Sequence, residues 1–68
     1  MTNKTTQCIK QVLELARNMI ILADAGQAVA EDDGCRLLYS VVQDSAYKIR
    51  KAAEQEKNAH LQAGTWEE

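Results

Sequence analysis

The sequence predicts an all-α protein, an antiparallel hairpin of two helices that pairs with a second copy into a four-helix bundle. Three observations support this prediction. The 68-residue chain has no proline, and its three glycines are Gly26, Gly34 and Gly64. Long stretches between these glycines carry apolar residues at helical spacing. A chain this short buries only about 60% of the surface that its unfolded form exposes, and small proteins usually compensate with disulfides, a metal ion or oligomerisation.

The first helix is expected over residues 4–29. Asn3 or Thr5 can cap its start with a side-chain oxygen, and Gly26 either ends the helix or interrupts it. Apolar side chains fill about half of its circumference, which is wider than the stripe that one neighbouring helix covers. Lys10 and Glu14 share the opposite, solvated face. The surplus apolar surface therefore predicts contact with another chain.

A turn over residues 30–33 separates the first helix from a second one over residues 33–63. Asp32 or Asp33 can cap the second helix, and Gly64 can take the left-handed conformation that ends it. From Ser45 onward its inward arc holds small residues, which allow a neighbouring backbone to approach closely. Residues 64–68 form a short tail with the only tryptophan, Trp66, interpreted either as a frayed terminus or as an anchor for a partner.

Homodimerisation is the expected way to cover the apolar half of the first helix. Cys8 and Cys35 belong to opposite ends of an antiparallel hairpin, so no disulfide within the chain is expected. Higher homo-oligomers and an unrelated partner chain are the alternatives. The expected dimer interface is apolar throughout and consists of Ile9, Val12, Leu15, Ala16, Met19, Leu22, Leu38, Val42 and Ile49.

Composition argues against several classes of function. Eight basic and ten acidic residues give a formal net charge of −2, which disfavours a general electrostatic grip on nucleic acid or on an anionic membrane. No apolar run approaches the roughly 20 residues that span a bilayer. The chain has no phosphate-binding glycine loop and no nucleophile beside a base at a recognised spacing. We therefore expect a non-enzymatic interaction or regulatory module without a cofactor, in the cytoplasm, where both thiols stay reduced.

The expected partner-binding surface is the outer face of the second helix, because a tyrosine flanked by arginines is typical of a binding hot spot. It consists of Arg36, Gln43, Tyr47, Arg50 and Lys57. A nucleic-acid-binding regulator and an obligate subunit of a larger complex are the alternatives. In layout and length the chain resembles the small dimeric hairpin proteins that regulate plasmid copy number by binding paired RNA loops. That resemblance implies a basic and aromatic RNA face on the first helices, whereas the first helix here has no aromatic residue.

One set of residues has the chemistry of a metal site. Glu56 and His60 lie four residues apart near the middle of the inward arc of the second helix, and Cys8 lies level with about position 55 in an antiparallel hairpin. In an antiparallel dimer, Cys35 of the partner subunit approaches the same level, and this set of ligands suits zinc. The favoured interpretation is a solvated Glu–His pair with two small core cysteines, because no short-range Cys/His ligand spacing is present. No metal is expected.

Overall fold

The computed structural model describes residues 3–67 of the chain. Two α-helices, α1 (Lys4–Val29) and α2 (Asp33–Ala63), pack against each other as an antiparallel hairpin. This confirms the prediction of an all-helical chain with two packed helices. The Cα trace of the hairpin measures 48 × 19 × 13 Å. Over residues 3–67, no helix has both the length and the apolar character needed to cross a membrane.

Polar side chains and one glycine define the helix ends. The Asn3 side-chain oxygen accepts a 2.7 Å hydrogen bond from the Thr6 backbone N–H and caps α1. Asp32 caps α2 in the same way, accepting from the Cys35 backbone N–H at 2.7 Å. This bond lowers the pKa of Asp32, because it stabilises the carboxylate. Gly64 ends α2 in the left-handed conformation, with φ of 75°.

The two helices meet along a seam of small side chains. Within each helix, buried alanines recur at a spacing of seven residues, two helical turns, so they lie on one side of the helix. Small side chains allow the two backbones to approach closely, in place of interlocking large apolar ones. The buried seam consists of Ala16, Ala23 and Gly26 from α1 and Ala46 and Ala53 from α2, with Thr6 buried at the open end.

Gly26 is a packing residue. It lies inside α1, which continues through it to Val29, so it neither ends nor interrupts the helix. A Cβ atom placed on Gly26 would overlap the Cδ1, Cε1 and Cζ atoms of the Tyr39 ring on α2. The missing side chain of Gly26 therefore leaves the space that the Tyr39 ring occupies against α1.

Residues 65–67 fold back onto the start of α1. The Asn3 backbone N–H donates to Glu67 Oε2 at 2.9 Å, and Asn3 Nδ2 donates to Glu67 Oε1 at 3.0 Å and to the Thr65 carbonyl at 3.1 Å. The Glu67 backbone N–H donates to Thr6 Oγ1 at 3.3 Å. These contacts join residues 65–67 to Asn3 and Thr6, and we call the joined group the terminal clasp.

Trp66 packs on its own chain as part of the terminal clasp. The Nζ atoms of Lys10 on α1 and Lys57 on α2 lie 5.7 and 5.1 Å from the centroid of the half-buried Trp66 ring. Ammonium groups at this distance are attracted to the face of an aromatic ring. Trp66 thus connects the open ends of both helices.

Candidate functional site

The hairpin has two broad faces of opposite character. Residues three, four and seven apart share one side of a helix, so one contact between the helices on each side of the seam identifies the residues that share that face. Val12 on α1 and Ala52 on α2 line the same groove and define the apolar face. Gln43 Nε2 on α2 donates a 3.1 Å hydrogen bond to Asp24 Oδ1 on α1, and this pair defines the polar face.

The apolar face carries large side chains that a single hairpin leaves in solvent. Leu22 and Leu38 are each 57% exposed, and Leu15 and Val41 are each 54% exposed. Large apolar groups clustered on one exposed face are typical of an interaction surface. By helical spacing the face consists of Cys8, Val12, Leu15, Met19 and Leu22 on α1 and of Leu38, Val41, Val42, Ser45, Ile49 and Ala52 on α2.

A groove of about 330 Å³ runs between the helices in the half of the apolar face nearest the open end. Its walls are apolar apart from one carboxylate, and small side chains on α2 give it depth. The lining residues are Cys8, Ile9, Val12, Ile49, Ala52, Ala53 and Glu56. The apolar face is therefore hollow towards the open end, whereas Leu22, Leu38 and Val41 stand out from it towards the turn.

Most of the residues predicted for a dimer interface lie on the apolar face. Four of them are half-buried beside the seam between the helices, namely Ile9, Met19, Val42 and Ile49. The others are exposed, apart from Ala16. Ala16 has no exposed surface, because it belongs to the seam between α1 and α2. It packs the hairpin itself and is not available to a second chain.

The predicted partner-binding residues line the polar face. Arg36, Gln43, Arg50 and Lys57 follow one another at intervals of seven residues along α2, with Tyr47 beside them. Helical geometry explains this arrangement, because residues seven apart lie almost directly above one another. The structure therefore places the five residues along one continuous strip of the hairpin.

Contacts within the chain hold this strip in place. Arg36 Nη1 donates a 3.1 Å hydrogen bond to Asp33 Oδ1. The Arg50 guanidinium lies 5.0 Å from the centroid of the Tyr47 ring. Arg50 Nε also lies 3.8 Å from Glu54 Oε1. Exposed ion pairs such as these contribute about 0–1 kcal/mol each, so they orient the side chains more than they stabilise the fold.

Two of the residues considered for a metal site come together in the structure. Cys8 and Glu56 both line the groove, whereas His60 Nδ1 lies 2.8 Å from Thr65 Oγ1. Cys35 of the same chain lies at the start of α2, near the other end of the hairpin, so the thiol in the hypothesis is that of Cys35 of the partner subunit. Among residues 3–67, no three His, Cys, Asp or Glu side chains are grouped closely enough to hold a metal ion. Both cysteines are free and exposed, not buried in the core as the sequence suggested.

Sequence reasoning missed the aromatic group that the polar face gains from residues 64–67. Trp66 lies over Lys10 and Lys57, so an indole ring joins the basic side chains at the open end of both helices. No helical periodicity extends to Trp66, whose ring contacts Lys10, 56 positions away, and whose neighbour Glu67 is hydrogen-bonded to Asn3 and Thr6. The polar face therefore carries aromatic groups at Tyr47 and Trp66.

Comparisons with known proteins found no matching family model, no matching curated protein and no matching solved structure. The geometry of the apolar and polar faces is accordingly the basis for the functional proposal.

Proposed function

We propose that this protein is a non-enzymatic interaction module whose working unit is a homodimeric four-helix bundle. The observation that carries the proposal is the apolar face, on which Leu15, Leu22, Leu38 and Val41 are more than half exposed in the single hairpin. Removing apolar surface from water is favourable by about 25 cal/mol per Å². A second copy brings the same surface, so pairing of apolar faces covers both.

The dimensions of the hairpin support this pairing. The Cα trace outlines a face of 48 × 19 Å, about 900 Å² per copy; covering the whole face on two copies would involve about 1,800 Å², against the roughly 1,200–2,000 Å² that stable interfaces bury. The surface thus has the extent of an interface between stable partners.

In such a dimer both polar faces point away from the interface. Each carries the strip of Arg36, Gln43, Tyr47, Arg50 and Lys57. Tyrosine and arginine are both enriched among the residues that dominate binding energy. The dimer then presents two copies of one binding surface. Its mechanism is the presentation of this surface, with no bond-making step.

Two neighbouring residues provide a matched test of the dimer. Leu22 is 57% exposed on the apolar face, and Ile21 is 54% exposed about 100° round the same helix, towards the side of Asp24. We expect Leu22→Glu to shift the protein from dimer to monomer, because each interface would bury two unpaired carboxylates. Ile21→Glu should leave the dimer intact, because that carboxylate stays in water. Light scattering behind a sizing column, over a range of concentrations, measures both masses.

The same measurement separates the proposal from an obligate subunit of a larger complex. A wild-type protein that is monomeric or polydisperse at every concentration would mean that the apolar face covers a different protein. Equal loss of the dimer in Leu22→Glu and Ile21→Glu would show that the face is wrongly assigned. Circular dichroism of both variants confirms that each still forms helices.

A nucleic-acid-binding regulator is the second candidate, and one observation favours it. Trp66 and the basic residues Lys10, Lys57 and Arg50 lie on the polar face together with Tyr47, and basic side chains mixed with aromatic ones are typical of nucleic-acid surfaces. Acidic residues on the same face, such as Asp24, repel phosphate groups and disfavour this candidate.

Salt dependence distinguishes the two candidates. Binding through phosphates weakens steeply as salt rises, so a complex is easiest to detect at low salt. For the interaction module we expect no complex with structured RNA or with duplex DNA in a gel-shift series, even at low ionic strength. A complex that forms at low salt and is lost in Lys57→Glu would favour the nucleic-acid regulator instead.

A further inference from the structure

We infer that the two hairpins of the dimer run antiparallel, with the turn of each copy at the open end of the other, and that Leu38 of the partner subunit fills the apolar groove. This inference rests on the proposed homodimer and specifies how the second copy is seated. It assigns an occupant to the groove between α1 and α2, namely the protruding turn half of another apolar face.

The distribution of large and small side chains along the apolar face supports the antiparallel arrangement. Leu38 and Val41 stand out near the turn, each more than half exposed. Ala52 and Ala53 lie in the groove near the open end. If two turn halves met, large side chains would face large ones and both grooves would stay empty. Reversing one copy end for end places large against small, which gives the close packing that protein interiors require.

The spacing along α2 fixes the register of the two copies. Leu38, Ser45 and Ala52 follow one another at intervals of seven residues, so they lie on one side of α2, about 10 Å apart along its axis. A twofold axis beside Ser45 brings Leu38 of each copy level with Ala52 of the partner subunit. The small side chain of Ser45 allows the two α2 helices to approach where they meet.

The two cysteines report the orientation directly. Cys8 lines the groove at the open end and Cys35 lies at the start of α2 near the turn, on a hairpin 48 Å long. Within one chain, a short bifunctional maleimide therefore cannot join them. In the antiparallel dimer, Cys8 of one copy lies level with Cys35 of the partner subunit. In a parallel dimer, Cys8 lies level with Cys8 and Cys35 with Cys35.

Cross-linking of single-cysteine variants tests this arrangement. Cys8→Ser and Cys35→Ser each keep one thiol, and the two proteins are treated with the short maleimide separately and after mixing and equilibration. We expect a cross-linked dimer on denaturing gels from the mixture and from wild type, and little from either variant alone. Cross-links in each variant alone, without gain on mixing, would show a parallel dimer and overturn the inference while leaving the homodimer standing. Light scattering on the same samples showing only monomer would overturn the homodimer itself.

A size exchange tests the register independently of the cysteines. Leu38→Ala leaves the groove unfilled in both copies, and we expect the dissociation constant of the dimer to rise about 100-fold. Ala52→Leu alone should also weaken the dimer by crowding the groove. In the double variant the large side chain has changed sides, so most of the affinity should return. A double variant as weak as the two single effects combined would show that Leu38 does not pack against Ala52.

Discussion

Replacing Ala23 with leucine is expected to lower the free energy of unfolding by about 3 kcal/mol. Ala23 has no exposed surface and lies in the seam where α1 contacts α2. A leucine there must separate the helices or take an unfavourable rotamer, and overpacking of this kind costs about 1–3 kcal/mol or more. A chain of this length has a total stability of about 3–10 kcal/mol, so much of the protein would unfold.

Ala25 provides the matched control, because it lies two residues further along α1 and is exposed. Ala25→Leu makes the same chemical change in water, and we expect a change within about 0.5 kcal/mol. Urea unfolding followed by circular dichroism, at one protein concentration for both variants, measures the difference. If Ala23→Leu were as stable as Ala25→Leu, the two helices would not meet at this alanine.

Replacing Gly26 with alanine is expected to destabilise the hairpin by about 1–2 kcal/mol, although alanine favours helix. Alanine gains about 1 kcal/mol over glycine inside a helix. The added Cβ would overlap three atoms of the Tyr39 ring, and moving the ring costs about 2–3 kcal/mol, the upper part of the usual range for overpacking. The packing penalty thus exceeds the helical gain. Thermal unfolding of Gly26→Ala against wild type measures the balance.

A change of sign makes this prediction specific. In a Tyr39→Ala background the ring is gone, so Gly26→Ala should stabilise the protein by up to about 1 kcal/mol, the helical gain alone. The coupling between the two positions is then the packing penalty, as a double-mutant cycle defines it. If Gly26→Ala raised stability in both backgrounds, the contact between Gly26 and Tyr39 would be refuted.

Helical periodicity was sufficient to predict two packed helices, because long apolar patterns without proline leave few alternatives. It did not identify which part of each apolar arc forms the contact within the hairpin. The arc of α1 includes Leu15, Ala16, Met19 and Leu22, and the structure turns Ala16 inward while Leu15 and Leu22 stay exposed. The spacing of Ala16 from Ala23, and of Ala46 from Ala53, is the signal that identifies the seam.

The candidate surfaces were only partly accessible to sequence reasoning. The strip from Arg36 to Lys57 follows from the period of one helix, and the structure places it along one face. The terminal clasp and the position of Trp66 depend on contacts between residues up to 64 positions apart, which no local pattern encodes. The groove depends on the register of the two helices. The sequence places Cys8 level with about position 55, and the structure shows that Cys8 and Glu56 line one groove.

The terminal clasp also bears on the order in which the hairpin closes. Gln27 and Ser40 meet across 13 positions beside the turn, whereas Asn3 and Glu67 meet across 64. Bringing distant segments together costs more chain entropy, so we expect contacts near the turn to form first and the terminal clasp to form last. Trp66 belongs to the terminal clasp and therefore packs in the last step. The fluorescence of Trp66, the only tryptophan of the chain, therefore reports the completion of folding. It does not report the first contacts at the turn.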